Sequence, residues 1–132
     1  MPKRINPAIS EAESQVMELL WHEAPQGSEG LVAALQPGTA WHENTVRTLL
    51  NRLVRKGAVR AEREGRRYLY SPVLTREQWQ THESRSLLDR VFGGKLAPLL
   101  VHFSRNEKLS AKDVAELRNL VDQLEKKGRH HD

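Results

Sequence analysis

An apolar repeat in the middle of the chain, which changes its period at one glycine, constrains the fold more than any other feature. The repeat places Val46, Leu49, Leu50 and Leu53 at i, i+3, i+4 and i+7, the spacing of one face of an α-helix. Gly57 follows where a helix commonly ends in a left-handed residue. The sequence therefore predicts an amphipathic helix that stops shortly before this glycine.

Beyond that glycine, apolar residues alternate with polar ones, which is typical of β-strands. The alternation begins at Val59, Gly65 supplies a turn, and a second strand continues to Pro72. This pattern predicts a β-hairpin with Arg66 and Arg67 near its tip.

Two further helices are predicted before the apolar repeat. Ser10 and Glu13 have the spacing of a capping box, and apolar residues at helical spacing extend the first helix to about residue 22. Ser28 is expected to cap the second helix, whose inward-facing residues are expected to be Leu31, Ala34 and Leu35.

The repeat helix also needs a cap at its start. Histidine caps a helix poorly, although His42 stands just before the helical pattern. The sequence therefore predicts either that Thr39 serves as the cap or that the helix start is shifted by up to a turn.

The polar side of the repeat helix has an unusual composition. At 100° per residue, the face opposite the apolar stripe consists of Asn44, Thr48, Asn51 and Arg55, flanked by Thr45, Arg47 and Arg52. This set, called the polar face below, contains no acidic residue, whereas ordinary surface helices mix acidic with basic side chains. Asparagine, threonine and arginine are residue types that contact DNA base edges and phosphates.

Positive charge is concentrated in the same part of the chain. Residues 42–72 carry eight basic and three acidic side chains, whereas residues 1–41 carry two and five. Two interpretations are open: the excess attracts an anionic partner, or it keeps a small domain soluble.

The order of the predicted elements favours the first interpretation. Three helices, the third with a basic polar face, followed by a hairpin with a basic tip, are the order of a winged helix-turn-helix. In that arrangement the third helix enters the major groove of double-stranded DNA, and the hairpin, or wing, lies beside the backbone. We predict such a domain over residues 1–73. The alternative is a winged-helix protein-interaction module whose basic face is only solubilising.

Residues 74–132 predict a second, helical domain. Thr75 is expected to cap a long helix to about Phe92, and Ser110 and Asp113 form a second capping box before the last helix. Three helices in about sixty residues have too little volume to bury their apolar side chains, so we predict a homodimer through residues 75–127. The residues expected at its interface are Leu88, Val91, Phe92, Leu99, Leu100, Phe103, Val114, Leu117, Leu120, Val121 and Leu124.

Several classes of protein are excluded by absent features. The chain contains no cysteine, which excludes disulfide frameworks and thiolate metal sites. The longest apolar stretch, residues 96–101, is far shorter than the roughly 20 residues that span a bilayer. The N-terminus has basic residues but no apolar segment of a signal peptide. We therefore expect a cytoplasmic protein without membrane insertion.

Catalytic and metal-binding motifs are also missing. The histidines followed by glutamate lack the second histidine of a zinc protease motif, and no nucleophile has a base beside it. The adjacent pair His130-His131 lacks a third ligand. We expect no enzymatic activity, no cofactor, no metal and no small-molecule substrate.

A few side chains are assigned structural roles. Trp21 is expected in the core, and Tyr68 and Tyr70 share one strand face that is expected to pack against a helix. For Arg55 and Lys56, phosphate contact and a solvated helix end remain equally open.

From about Ile9 to Lys127, the chain resembles the BlaI/MecI/CopY family of penicillinase-type repressors. The resemblance is carried by residues 9–21, by residues 44–53 together with Lys56-Gly57, and by residues 109–120. It implies a homodimeric winged-helix repressor that binds a short palindromic operator. It also implies relief of repression by cleavage of the C-terminal domain, triggered by a membrane sensor protease in response to a cell-wall antibiotic.

The resemblance also carries over site residues. The recognition helix of the family falls on Asn44, Thr45, Arg47, Thr48, Asn51 and Arg52, and the wing on Gly65, Arg66 and Arg67. The cleaved bond, usually Asn-Phe, falls on His102-Phe103, so that histidine stands in place of asparagine. Family members often have Ser-Pro where this chain has His42-Glu43. The copper-sensing branch carries paired cysteines, and their absence here argues against that branch.

Overall fold

The computed structural model describes residues 4–106 and 108–129. Its elements are, in chain order, α1 (Glu11–His22), α2 (Ser28–Leu35), α3 (Glu43–Arg55), β1 (Val59–Glu64), β2 (Arg67–Pro72), α4 (Arg76–Val91), α5 (Leu96–Asn106) and α6 (Ala111–Arg129). This confirms the predicted mainly α-helical fold with one small β-hairpin. The chain divides into two units, residues 1–86 and 87–132, which are described separately. The division falls inside α4; a functional boundary after residue 73 stays a prediction.

The core of the first unit is built around α3. Its apolar stripe is buried as predicted and packs against α1 and α2. The core consists of Ile9, Val16, Met17, Leu20, Leu31, Leu35, Val46, Leu49, Leu50, Leu53, Ala58, Val59 and Leu74. The prediction for Ala34 is wrong: it is exposed, because α2 is short and contacts α3 through the Leu31–Leu35 row, with Val32 partly buried beside it.

The helix starts follow their local sequence only in part. Ser10 and Glu13 form the predicted capping box, in which the Glu13 N–H donates to Ser10 Oγ at 3.0 Å and the Ser10 N–H to Glu13 Oε1 at 2.7 Å. The cap of α2, however, is Gly27 and not Ser28. Gly27 has the extended backbone of a cap, and its carbonyl oxygen accepts the Leu31 N–H at 3.3 Å, which makes Ser28 the first helical residue.

Helix α3 starts where its apolar pattern starts. His42 is its N-cap, without a side-chain hydrogen bond, so the prediction of Thr39 or a shifted start is wrong. The Thr39 hydroxyl instead donates to the Leu35 carbonyl at 3.1 Å, at the end of α2.

The end of α3 is as predicted. Gly57 has a φ of 74°, its N–H donates to the Val54 carbonyl, and the Ala58 N–H donates to the Leu53 carbonyl, both at 3.0 Å. These are the two hydrogen bonds of a Schellman motif. They turn the chain directly into β1.

The predicted hairpin is confirmed, with β1 and β2 antiparallel and Glu64 paired with Arg67. Gly65 at the tip has a φ of 63°, which a glycine adopts without strain. The sequence did not predict a third backbone segment beside β2. Gln26, between α1 and α2, exchanges two hydrogen bonds with Tyr70 at 2.8 and 3.0 Å. This pair joins β2 to the segment between α1 and α2.

Trp21 closes the edge of the same core, as predicted. Its indole Nε1–H donates to the Leu74 carbonyl at 2.8 Å, and its ring lies 5.5 Å from that of Trp79. Thr75 caps α4, since its hydroxyl accepts the Gln78 N–H at 3.1 Å.

The second unit comprises the end of α4 together with α5 and α6. Ser110 and Asp113 form the predicted capping box, with bonds of 3.0 and 3.3 Å. Within residues 87–106 and 108–128, no side chain is buried in the single chain. Large apolar side chains are exposed on these helices, among them Val91, Leu96, Leu100, Val101, Phe103, Val114, Leu120, Val121 and Leu124.

Candidate nucleic-acid interface

The start of α2, the exposed side of α3 and the hairpin enclose a cleft of about 400 Å³. Two of the predicted residues on α3, Arg47 and Asn51, line this cleft together with Arg66 and Arg67 of the hairpin. Residues almost twenty positions apart in the sequence are thus brought to one surface. We call this the α3–hairpin cleft; it is lined by Ser28, Glu29, Arg47, Asn51, Arg66, Arg67, Tyr68 and Tyr70.

The remaining predicted residues of α3 lie outside the cleft but on the same exposed side of the helix. They are Asn44, Thr45, Thr48 and Arg52, and all four are exposed. The Thr48 hydroxyl donates to the Asn44 carbonyl at 2.9 Å, so its oxygen can still accept hydrogen bonds. The polar face predicted from periodicity is therefore a continuous solvent-accessible surface opposite the buried stripe.

One acidic residue, which the sequence reasoning did not include, stands at the edge of this face. Glu43, in the first turn of α3, forms an ion pair with Arg47, with 2.7 Å between Glu43 Oε1 and Arg47 Nη2. The signal was available, because a residue four positions before an arginine lies on the same side of a helix.

Tyr68 is the second residue whose role sequence reasoning missed. Tyr70 packs against the core as predicted, but Tyr68 is 50% exposed and lines the α3–hairpin cleft. Both side chains lie on one strand face. Tyr68 stands two residues nearer the tip and is not among the residues that pack against the core.

Lys56 is neither a solvated helix end nor a side chain free to contact phosphate, the two alternatives left open for it. Its Nζ donates to Glu13 Oε1 at 2.6 Å and to the Ala8 carbonyl at 2.9 Å. Lys56 thus joins the end of α3 to α1 and to the segment before it. Arg55 is exposed.

The electrostatics of this pair are those of a buried carboxylate with a cation beside it. Burial alone would raise the pKa of the Glu13 carboxyl, but the hydrogen bonds from Lys56 and Ser10 and the charge of Lys56 outweigh it. The net effect is a pKa below the ordinary value of 4.5.

In the second unit, α5 and α6 enclose an apolar groove of about 590 Å³. Five of the predicted interface residues line it: Leu99, Leu100, Phe103, Leu117 and Leu120. Of the others, Val91, Val114, Val121 and Leu124 are exposed, whereas Leu88 and Phe92 are partly buried.

The predicted cleavage bond lies inside α5. His102 and Phe103 are both exposed, and the His102 carbonyl accepts a hydrogen bond from Asn106 Nδ2 at 2.9 Å.

The His130-His131 pair lies outside the described residues. Across residues 4–106 and 108–129, no three histidine or acidic side chains are grouped as for a metal ion. In that same part of the chain, no helix has the length and apolar character needed to cross a bilayer.

Comparisons with known proteins agree with this architecture. The model of the penicillinase repressor family matches residues 9–123. The penicillinase repressor of Bacillus licheniformis is 30% identical over 117 residues, which are 89% of this chain and 91% of that protein. The methicillin resistance regulatory protein MecI of Mammaliicoccus sciuri is 26% identical over 113 residues, 86% of this chain and 92% of that protein.

A solved structure extends the agreement to the fold. The solution structure of the DNA-binding domain of the repressor BlaI superposes with a TM-score of 0.53 at 30% identity, and covers 58% of this chain and 93% of that one. The expected winged-helix fold is confirmed. Because the family model spans most of the sequence, this chain belongs to the penicillinase repressor family.

Proposed function

We propose that this protein is a transcriptional repressor that binds double-stranded DNA through α3 and the hairpin. The observation that carries the proposal is the α3–hairpin cleft, in which Arg47 and Asn51 of α3 face the same surface as Arg66 and Arg67. Relatives named as repressors, and a repressor DNA-binding domain of similar structure, support it.

In this proposal α3 reads the base edges in the major groove. Arginine donates two hydrogen bonds to guanine. Asparagine donates one hydrogen bond to N7 of adenine and accepts one from its N6 amino group, so Arg47 and Asn51 are suited to base readout. The residues proposed to contact the groove are Asn44, Thr45, Arg47, Thr48, Asn51 and Arg52.

The hairpin serves as the wing and holds the DNA backbone. Arg66 and Arg67 are exposed next to the tip at Gly65. An exposed guanidinium binds phosphate without regard to sequence and releases counterions. These two residues therefore contribute affinity and register, whereas α3 contributes sequence preference.

The second unit is proposed to form a homodimer on a palindromic operator. The apolar side chains exposed in the single chain need a partner surface, and α5 with α6 offers a groove that a second copy can fill. Two linked winged helices convert weak binding of one half-site into tight binding of both.

Repression is proposed to end when the dimerisation unit is cut, and the candidate bond is His102-Phe103. Since this bond lies within α5, the helix must unwind locally before a protease can bind the backbone in extended form. Cleavage there would remove α6 and leave the DNA-contacting residues intact. The inducing signal is proposed to be a cell-wall antibiotic, which the names penicillinase repressor and methicillin resistance regulatory protein of two relatives support. Cleavage is proposed to be triggered by a membrane sensor protease and to take place in the cytoplasm.

DNA recognition is tested by selecting bound duplexes from a random-sequence library at physiological salt. The expected result is one enriched palindrome. On that duplex, Arg47→Ala should lower affinity by about 1 to 3 kcal/mol and relax the preference at one base pair per half-site. Arg66→Ala should weaken binding to all duplexes alike. It should also reduce the slope of log K against log salt concentration by about one, the value for one phosphate contact.

No enrichment, with equal binding by the wild type and Arg47→Ala, would overturn the proposal. The basic face would then be only solubilising, and the fold would serve as a protein-interaction module.

Relief of repression by proteolysis is tested separately by immunoblot of induced cells. An intact repressor while its target gene is expressed would contradict it.

A further inference from the structure

We propose that Glu43 is a specificity-determining residue that directs Arg47 to bases and away from phosphates. This inference rests on the proposed DNA-binding function and deepens it. Glu43 lies outside the six residues assigned to groove contact, and it stands where the resembled family often has proline.

The geometry shows that the Glu43 carboxylate contacts and orients the Arg47 guanidinium. Glu43 Oε1 lies 2.7 Å from Arg47 Nη2, one helical turn apart on the exposed side of α3. Arginine has five N–H donors in a planar fork, so a contact at Nη2 leaves other donors available to a base. The contact at Nη2 restricts the directions in which the remaining donors point.

The exposure of the pair limits what it contributes to the stability of the fold. The side chains are 59% and 47% exposed, and exposed pairs of this spacing contribute little to folding. A carboxylate beside a surface that meets phosphates also opposes non-specific binding by repulsion. Hydrogen bonds from Arg47 to a matching base offset this repulsion.

Two effects of opposite sign follow. Without the Glu43 carboxylate, Arg47 loses its ion-pair partner in the cleft that it lines together with Arg66 and Arg67. Binding to arbitrary DNA should then rise, because a free guanidinium contacts any phosphate. Discrimination at the base pair read by Arg47 should fall, because its donors lose their fixed direction.

The test compares Glu43→Gln with Glu18→Gln. Glu18 forms an exposed ion pair with Arg76 at 2.6 Å, with side-chain exposures of 47% and 48%, on α1 and α4 and not on α3. Both substitutions remove one negative charge from an exposed ion pair, and the two glutamates are both 47% exposed. Binding is measured from 50 to 200 mM salt on the selected duplex and on a scrambled one, and each variant is also taken through the random-duplex selection.

For Glu43→Gln, we expect tighter binding to the scrambled duplex, a salt slope on it steeper by about 0.9, and a specificity ratio about tenfold lower. The preference should relax at the same base pair as in Arg47→Ala. In the Arg47→Ala background, the substitution should no longer change the base preference, because that preference acts through Arg47. Glu18→Gln should leave the specificity ratio and the preference unchanged.

An unchanged preference in Glu43→Gln, or an equal effect of Glu18→Gln, would overturn the inference, since net charge alone would then act. The proposed function fails separately, by the absence of an enriched site for the wild type. Circular dichroism of both variants checks that they remain folded. If Glu43→Gln does not fold, Glu43→Ala is taken through the same measurements and is expected to give the same changes.

Discussion

Glu13 shows how one buried charge holds the first unit together. It is the buried charged side chain among the described residues, and its Oε1 accepts hydrogen bonds from the Ser10 N–H and from Lys56 Nζ. Its Oε2 has no hydrogen-bond partner, so Lys56 supplies most of what replaces water around this carboxylate. The pair joins the capping box of α1 to the end of α3.

A carboxyl whose pKa is lowered by folding stabilises the folded state above its unfolded pKa, and that stability is lost as the pH falls through the folded pKa. The pKa of Glu13 is lowered from 4.5, so its contribution is complete near pH 7 and declines below about pH 4.5. We expect Glu13→Gln, which can still form the capping box, to be less stable than the wild type at pH 7 by about 1 to 3 kcal/mol. Urea unfolding at pH 7 and pH 3 should show this difference shrinking, whereas a constant difference would exclude the ion pair as its cause.

Tyr68 is predicted to contact the DNA backbone beside the wing. Its 50% exposed side chain lines the cleft next to Arg66 and Arg67, and a phenol hydroxyl donates readily to a phosphate oxygen. Hydrogen bonds to charged groups contribute about 1.5 to 3 kcal/mol, so Tyr68→Phe should weaken binding about tenfold or more on every duplex. Titrations of the selected and scrambled duplexes measure this. Equal affinities of Tyr68→Phe and wild type would show that the hydroxyl lies outside the interface.

The sequence could identify a residue's role where that role depends on residues nearby in the chain. The helical period separates the buried stripe of α3 from its exposed side without knowledge of the fold, and it placed Arg47 and Asn51 correctly on the exposed side. The roles of Lys56 and Tyr68 depend on neighbours distant in sequence. Lys56 meets Glu13 across 43 residues. Tyr68 lines a cleft together with residues of α2 and α3.

At the scale of elements, the end of α3 is fixed by one glycine. A Cβ added at Gly57 would lie 3.0 Å from the Arg4 carbonyl oxygen, and the residue has a φ of 74°. A left-handed conformation costs a non-glycine residue about 1 to 2 kcal/mol, so Gly57→Ala should lower the free energy of unfolding by at least that much. Thermal or urea unfolding measures it.

Gly30→Ala, inside α2, is the matched control. Its added Cβ would meet only Gln26 Oε1, at 3.5 Å, and alanine is favoured over glycine in a helix by about 1 kcal/mol. It should leave stability unchanged or raise it. If both substitutions lower stability equally, the backbone conformation of Gly57 is not the cause.

Elements were predicted well where turn, cap and period signals agree, and poorly where tertiary contacts decide. The capping boxes, the Schellman end of α3 and the hairpin turn are local and were all found. The hydrogen bonds between Gln26 and Tyr70 join distant segments, and nothing around Gln26 indicates a strand. Helix α3 begins at Glu43 without a side-chain cap, because its buried stripe and its contacts with α1 and α2 stabilise it.

At the scale of the whole molecule, the second unit should control oligomeric state. Leu120 is 49% exposed and lines the groove between α5 and α6. Burying a leucine contributes about 1.5 to 3 kcal/mol, and a symmetric dimer buries two, so Leu120→Glu should weaken dimerisation at least about a hundredfold. Sedimentation equilibrium measures this, with the exposed neighbour Asn119→Glu as a control of equal added charge. A wild type that remains monomeric at micromolar concentration would contradict the dimer.

The central claim is that α3 and the hairpin recognise a specific DNA sequence. The most direct test incubates the purified full-length protein with sheared DNA from its own genome at physiological salt and sequences the bound fragments. We expect sharp peaks that share one palindrome. Sites upstream of a β-lactamase and a sensor protease would also identify the regulated genes, whereas sharp sites elsewhere would keep the repressor and discard the antibiotic link. Diffuse binding that disappears with added salt would contradict the claim.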